Sequence, residues 1–119
     1  MNNDTAVTEK IVRDHLEAFV EQKGIDAIVA DYDARACFYS ETKIYRGQQE
    51  IHGFFSDFLS ALPAGAIDRF TLNSLQVGGR IAYITWSVGS DIPLGTDTFL
   101  VEHGKIVSQT FAMYATPTP

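Results

Sequence analysis

Four strand-like segments in a row fill the second half of the chain: Ile67–Val77, Arg80–Val88, Leu94–Glu102 and Lys105–Tyr114. They are joined by Gly78-Gly79, by Gly89-Ser-Asp-Ile-Pro93 and by His103-Gly104. Connections this short leave only antiparallel neighbours, so the segments predict a meander with one face to be covered. The first half supplies the cover. Apolar residues at Val7, Ile11, Val12, Leu16, Phe19 and Val20 keep the 3.6-residue period of an amphipathic helix over 7–22, and His15 falls on its apolar stripe. Ile25, Ile28, Val29 and Tyr32 predict a short second helix with Tyr32 on the inner side. Two brief strands follow, Ala34–Ser40 and Thr42–Arg46. A third helix is predicted from Ile51, Phe54, Phe55, Phe58, Leu59 and Leu62, ended by Pro63-Ala-Gly65. Helices segregated from an antiparallel sheet mean an α+β fold. The expectation is one domain over 1–119, with a core of about 7–114 and a mobile tail at 115–119. If the sheet curls over its helices, a pocket forms between them.

The chain has 119 residues and a formal charge of -6, with no basic run to offset it. That argues against nucleic acid, whose binding rests on neutralised phosphates. One cysteine, Cys37, cannot form an internal disulfide. The N-terminal Met-Asn-Asn-Asp-Thr lacks the basic and apolar segments of a secretory signal, and no apolar run approaches the roughly 20 residues of a membrane span. A cytoplasmic protein without a membrane partner is expected. His15, His52 and His103 are scattered, and no phosphate-cradling glycine loop or nucleophile elbow is present, so neither metal nor cofactor is predicted.

Asp97 is the candidate for chemistry. In Leu94-Gly-Thr-Asp-Thr-Phe-Leu-Val-Glu102, alternation puts Gly95, Asp97, Phe99 and Val101 on the apolar face. A buried carboxylate without partners costs several kcal/mol, so Asp97 must be hydrogen-bonded, protonated or facing a cavity. Its neighbour depends on the next turn. A two-residue His103-Gly104 loop needs positive φ at both positions, whereas a three-residue Glu102-His103-Gly104 loop needs it only at the glycine. The second is favoured; it sets Asp97 opposite Gln109 and puts Val107, Gln109, Phe111 and Met113 inside, while the first would offer Thr110. Ala82, Ile84, Trp86 and Val88 form the more apolar face of their strand, so Trp86 points into the same interior. Each of these residues has a plainer role: His15 as a satisfied interface histidine, Tyr32, Trp86 and the phenylalanines as core.

Ile28-Val-Ala-Asp-Tyr-Asp-Ala-Arg-Ala-Cys-Phe38, Tyr45-Arg-Gly-Gln-Gln-Glu-Ile51, Phe54-Phe55, Thr96-Asp97-Thr-Phe99 and His103-Gly-Lys-Ile106 together carry a resemblance over about 7–114. The chain resembles the nuclear-transport-factor-2-like superfamily, in its SnoaL-like and ketosteroid-isomerase-like branch. The resemblance implies a cystatin-like cone, a curved antiparallel sheet wrapped around three N-terminal helices, and a homodimer through the sheet with Thr71, Tyr83, Thr85 and Thr98 outward. It aligns Asp97 with the isomerases' protonated, hydrogen-bond-donating acid, a carboxyl that is a worked example of pKa tuning. Tyr32 falls where those enzymes have a pocket tyrosine, and His15 near their oxyanion tyrosine. Their proton-abstracting aspartate is replaced by Ser40, with Glu41 beside it. SnoaL-like cyclases place an acid on the sheet for an aldol closure, a role Asp97 with His15 could serve. The related epoxide hydrolases need a buried Asp-Arg-Asp group for which no inward arginine is found.

Two readings follow. In one, the protein is an isomerase or cyclase acting on a small hydrophobic, carbonyl-bearing molecule: Asp97 and His15 are catalytic, and Tyr32, Gln109, Trp86, Phe55, Phe58, Phe99, Phe111 and Met113 line the site. In the other it is a non-catalytic ligand-binding or dimerisation module, with Asp97 satisfied by Gln109.

Overall fold

The computed structural model describes residues 4–117, so Thr118 and Pro119 of the expected tail lie outside the described residues. Helix α1 spans Asp4–Val20, α2 Ile25–Val29 and α3 Gly47–Ala61. The strands are β1 Tyr32–Tyr39, β2 Ile44–Arg46, β3 Phe70–Gly78, β4 Ile81–Val88, β5 Ile92–Glu102 and β6 Lys105–Tyr114. They form one curved, unclosed sheet in the order β2-β1-β6-β5-β4-β3, antiparallel throughout except where β1 lies parallel to β6. The last four strands are the predicted meander, and the helices cover its concave face.

Helix α1 starts earlier than its apolar period suggests because its first turns are held by polar contacts. Thr5 Oγ1 accepts from the Gly79 N–H at 3.0 Å, and Thr8 Oγ1 donates to the Gly79 carbonyl at 2.8 Å. These bonds clasp the β3–β4 turn. The helix is thereby rotated from its expected stripe: Thr8, Val12, His15 and Ala18 are buried, while Val7 and Val20 are exposed. Tyr32 is not on α2 at all. That helix ends at Val29, the Asp31 carbonyl accepts from the Ile106 N–H at 2.9 Å, and Tyr32 opens β1. Its side chain nevertheless points inward. The stretch read as one strand from Ile67 begins as a 3-10 turn, Ile67–Arg69, before β3. Thr116 is tied down, its N–H and hydroxyl each donating at 2.8 Å to the carbonyls of Asp91 and Ser90.

The β5–β6 hairpin takes the two-residue turn rather than the favoured three-residue one. Glu102 pairs with Lys105, and His103 and Gly104 have φ of 52° and 76°. A two-residue turn with both values positive matches the twist of the strands, and this outweighs the modest cost of a left-handed histidine. A bulge at Val107 follows, so Val101 faces Ile106 but Leu100 faces Ser108. Asp97 therefore lies opposite Phe111, with Phe99 opposite Gln109. The one-residue shift returns Gln109 and Phe111 to the inner face, and replaces Val107 there by the fully buried Ile106.

Helix α3 is anchored by Ile51 and Phe55, and Phe54 and Phe55 bring their rings to 4.4 and 5.9 Å from Phe38 of β1. Gly53 lies on its solvent side, where an added Cβ would meet nothing within 4 Å. Alanine has the higher helix propensity and the less flexible unfolded chain. Gly53→Ala is accordingly expected to raise the unfolding free energy by about 0.5–1 kcal/mol in chemical denaturation.

Candidate functional site

Asp97 is 7% exposed, inside the cone near the middle of β5. Both carboxylate oxygens are bonded: Trp86 Nε1 donates to Oδ1 at 2.6 Å, and Gln109 Nε2 donates to Oδ2 at 2.7 Å. Gln109 is the diagonal neighbour of Asp97 across the hairpin, and its long side chain makes the reach. The indole reaches because its cross-strand partner is Gly95. A Cβ there would lie 2.2 Å from two indole carbons, so only glycine lets Trp86 lie flat on β5. Phe70 and Phe111 stack on the indole with centroids at 5.7 and 6.3 Å.

Burial raises the carboxyl pKa to about 6; the bonds from Trp86 and Gln109 and the nearby His15 oppose the rise without cancelling it. Two of the four lone-pair positions of the carboxylate are left unused by these two donors.

A string of polar groups continues away from Asp97. Tyr32, buried on β1, donates its hydroxyl proton to Gln109 Oε1, and His15 Nε2 lies 3.4 Å from the same hydroxyl. Burial, with Asp97 and Asp31 adding charge, holds the Tyr32 hydroxyl well above its ordinary pKa, so it stays protonated. His15 is 4% exposed among Tyr32, Phe55 and Phe99, whose ring centroids lie 5.3, 6.1 and 5.8 Å away. Its Nδ1 finds no hydrogen-bond partner among the described residues, although Asp31 Oδ2 is 3.7 Å off.

Beside Asp97 lies a cavity of about 50 Å³. That is room for a few waters, well short of the several hundred Å³ of a drug-sized site. Of the residues assigned to the site, His15, Trp86, Asp97, Gln109, Phe55, Phe58, Phe99 and Phe111 line it. Two expected residues do not. Met113 sits further along β6 opposite Gly95, and Tyr32 stands behind Gln109 and His15 rather than at the cavity wall. Leu16, Phe19, Phe38, Phe54, Phe70 and Ile84, which were not assigned to the site, line it as well. Phe54 and Phe19 were visible on their helical stripes; Phe70 was placed in a strand without being assigned a face. Asp31 carried no signal, since it falls between a helix and a strand where no period applies.

Ser40, which the resemblance set at the isomerases' base position, lies in a turn. Its Oγ donates to the Lys43 carbonyl at 2.9 Å and accepts from the N–H groups of Lys43 and Thr42 at 3.1 and 3.3 Å, organising the β1–β2 turn. Among the described residues no three His, Cys, Asp or Glu side chains gather as a metal-ligand set, and no helix is long and apolar enough to cross a membrane.

No protein-family model matches the sequence, and no curated protein matches it. Solved structures do. A nuclear-transport-factor-2-like protein of unknown function from Burkholderia xenovorans aligns over 98% of this chain and 89% of its own at 17% identity, with a TM-score of 0.77. A SnoaL-like protein of unknown function from Burkholderia thailandensis aligns over 97% and 100% at 14% identity and TM-score 0.75. A Kribbella flavida protein provisionally named a ketosteroid isomerase aligns over 98% and 84% at 16% identity and TM-score 0.70. The chain has the nuclear-transport-factor-2-like, cystatin-like α+β fold.

Proposed function

We propose that the cone binds a small apolar, carbonyl-bearing molecule and that Asp97 exchanges a proton with it, in the manner of an isomerase or cyclase working by acid–base catalysis without a metal. One observation carries this reading: a buried carboxyl, its pKa pushed up to about 6 by desolvation, borders an apolar cavity and has lone pairs to spare. A pKa close to neutrality suits a group that must both take and give a proton. His15, on the same wall, is the second proton-exchanging group; Gln109 and Tyr32 fix the orientation of Asp97, and the phenylalanines keep water out. Ser40 supplies no base, so the chemistry rests on Asp97 and His15 alone. The name given to the Kribbella flavida protein is consistent with proton-transfer chemistry in this fold, although one scaffold hosts unrelated functions.

A second reading, a non-catalytic binding module, is favoured by the size of the cavity and by the donors already present on both oxygens of Asp97. We further propose that the protein pairs through its sheet. Ile81, Tyr83, Leu94 and Tyr114, the last 59% exposed, lie on the outer face together with Thr71, Thr85 and Thr98; light scattering at micromolar concentration tests the dimer.

The chemistry is tested by hydrogen–deuterium exchange at the α-carbon of small cyclic enones and β-dicarbonyl compounds in D₂O, followed by NMR. Exchange is expected above the buffer rate, falling at least about 100-fold in Asp97→Asn while ligand-induced shifts persist. Binding without exchange would leave the module reading standing. An exchange rate untouched by Asp97→Asn would remove Asp97 from the chemistry.

A further inference from the structure

The string from Asp31 to Asp97 can be read by counting protons. Ionised Asp97 only accepts, so Gln109 turns its NH₂ toward it and its carbonyl toward Tyr32. The single proton of Tyr32 goes to that carbonyl, and what faces the phenol oxygen from His15 Nε2 must then be N–H. A neutral ring with its proton on Nε2 would show a bare Nδ1 lone pair to the carboxylate of Asp31, 3.7 Å away, in a buried place. Only a second proton, on Nδ1, turns that opposition into attraction. When Asp97 is protonated the string can run the other way. Asp97 donates to the Gln109 carbonyl, the amide NH₂ donates to Tyr32, the phenol donates to Nε2, and Nδ1 again carries a proton toward Asp31. The two states differ only by one proton moved from the imidazole to the carboxyl, an internal exchange that leaves the total unchanged and is separate from the uptake of a proton by Asp97 from solvent. His15 and Asp97 both border the cavity, so a molecule there can carry the proton between them.

We infer that Asp31 is a positioning residue of this centre: it keeps a proton on His15 Nδ1 in both charge states of Asp97, while the Gln109 amide turns end for end between them. The inference deepens the acid–base reading of the cavity and rests on it. The gap of 3.7 Å is longer than a hydrogen bond, as such bonds often are before a ligand is bound, and the Asp31 side chain is 23% exposed. The charged and titratable groups around the ring are Asp31 from the α2–β1 junction, Tyr32 from β1 and Asp97 from β5; α3 contributes only Phe55, and β6 the uncharged Gln109. Behind Asp31, Lys10 of α1 is coupled to its charge, and Lys105 Nζ donates to the adjoining Ala30 carbonyl at 2.8 Å.

Long-range ¹H–¹⁵N correlation spectra of ¹⁵N-histidine-labelled protein between pH 5 and 8, with ¹³C titration of the Asp97 carboxyl, test this. The wild type is expected to show the proton of His15 on Nδ1, toward Asp31. Asp31→Ala should lose the Nδ1 proton and move the Asp97 midpoint up by roughly half a unit, because the imidazolium no longer supports the anion. Asp31→Asn, which still offers an acceptor, should restore the Nδ1 proton but not the midpoint. A bare Nδ1 in the wild type, or an Asp31→Ala variant unchanged in both signals, overturns the inference. These signals need no turnover: if they appear as expected and the enone exchange does not, the acid–base reading fails and the proton arrangement survives it; if exchange is found with Nδ1 bare, the inference fails alone.

Discussion

Between pH 4 and 7 the wild-type protein is expected to lose on the order of 3 kcal/mol of stability relative to an Asp97→Asn variant. The reason is the displaced titration of Asp97, whose carboxyl has a pKa of about 6 in the fold against an ordinary 3.8. Below pH 4 the group is protonated in both folded and unfolded chains and costs nothing extra. Between the two values the folded chain holds a proton that the unfolded chain has released, so stability falls as pH rises. Above pH 6 both states are ionised and the difference is constant. Asparagine cannot ionise, so its own curve lacks this slope, whatever its absolute stability. That absolute value is a separate matter, since an amide has one oxygen for the two donors from Trp86 and Gln109 and presents its NH₂ to the other. Urea unfolding at half-unit pH intervals gives the comparison. Parallel curves for the two proteins would mean that Asp97 titrates as a surface acid does and that its burial is relieved in solution.

Gly95→Ala is the second large effect. The new methyl would overlap the indole of Trp86 at 2.2 Å, and the flexible tip of a side chain is not what it meets but a rigid ring held between Phe70 and Phe111. Overpacking of this kind costs about 1–3 kcal/mol, and moving the indole also strips Asp97 of a charge-assisted donor. A total loss of about 3–4 kcal/mol is expected by denaturation. Because the chain has one tryptophan, its emission reports the displacement directly. Gly78→Ala, where an added Cβ meets nothing within 4 Å, serves as the control in the same sheet and should change stability by less than about 1 kcal/mol. A Trp86→Phe background should also absorb much of the Gly95→Ala cost, since the two effects share one contact.

How far the sequence reaches can be judged from these same residues. The inward direction of Asp97 and Trp86 follows from alternation alone, whereas that of Gln109 hung on the choice of turn; all three are buried. His15 was visible on the stripe of α1 even though the stripe's centre was misplaced, because Thr8 hides its polarity by bonding a backbone carbonyl 71 residues away. Nothing local announces such a bond. The partner of Asp97 was named correctly for the wrong geometric reason. Alternation and turn chemistry weigh single residues, and a bulge is a property of two strands together, so the extra residue Val107 was invisible. Asp31 was missed for a related reason. Its place beside His15 follows from where α2 stops and β1 starts, a junction held by the backbone bond from Ile106 and not marked by any pattern in residues 25–32.

The bulge at Val107 also acts as a proofreader. A hairpin closed by the same His103-Gly104 turn without that extra residue would be the more regular ladder, and an uncharged stretch such as Thr98 to Leu100 offers little to forbid it. In that ladder Gln109 would turn toward solvent and Thr110 would stand opposite Asp97. The acid would then be stranded with half its donors, at a cost in the range of several kcal/mol. The pairing of Asp97 with both Trp86 and Gln109 thus disfavours the slipped register, because only the bulged ladder gives each carboxylate oxygen a donor.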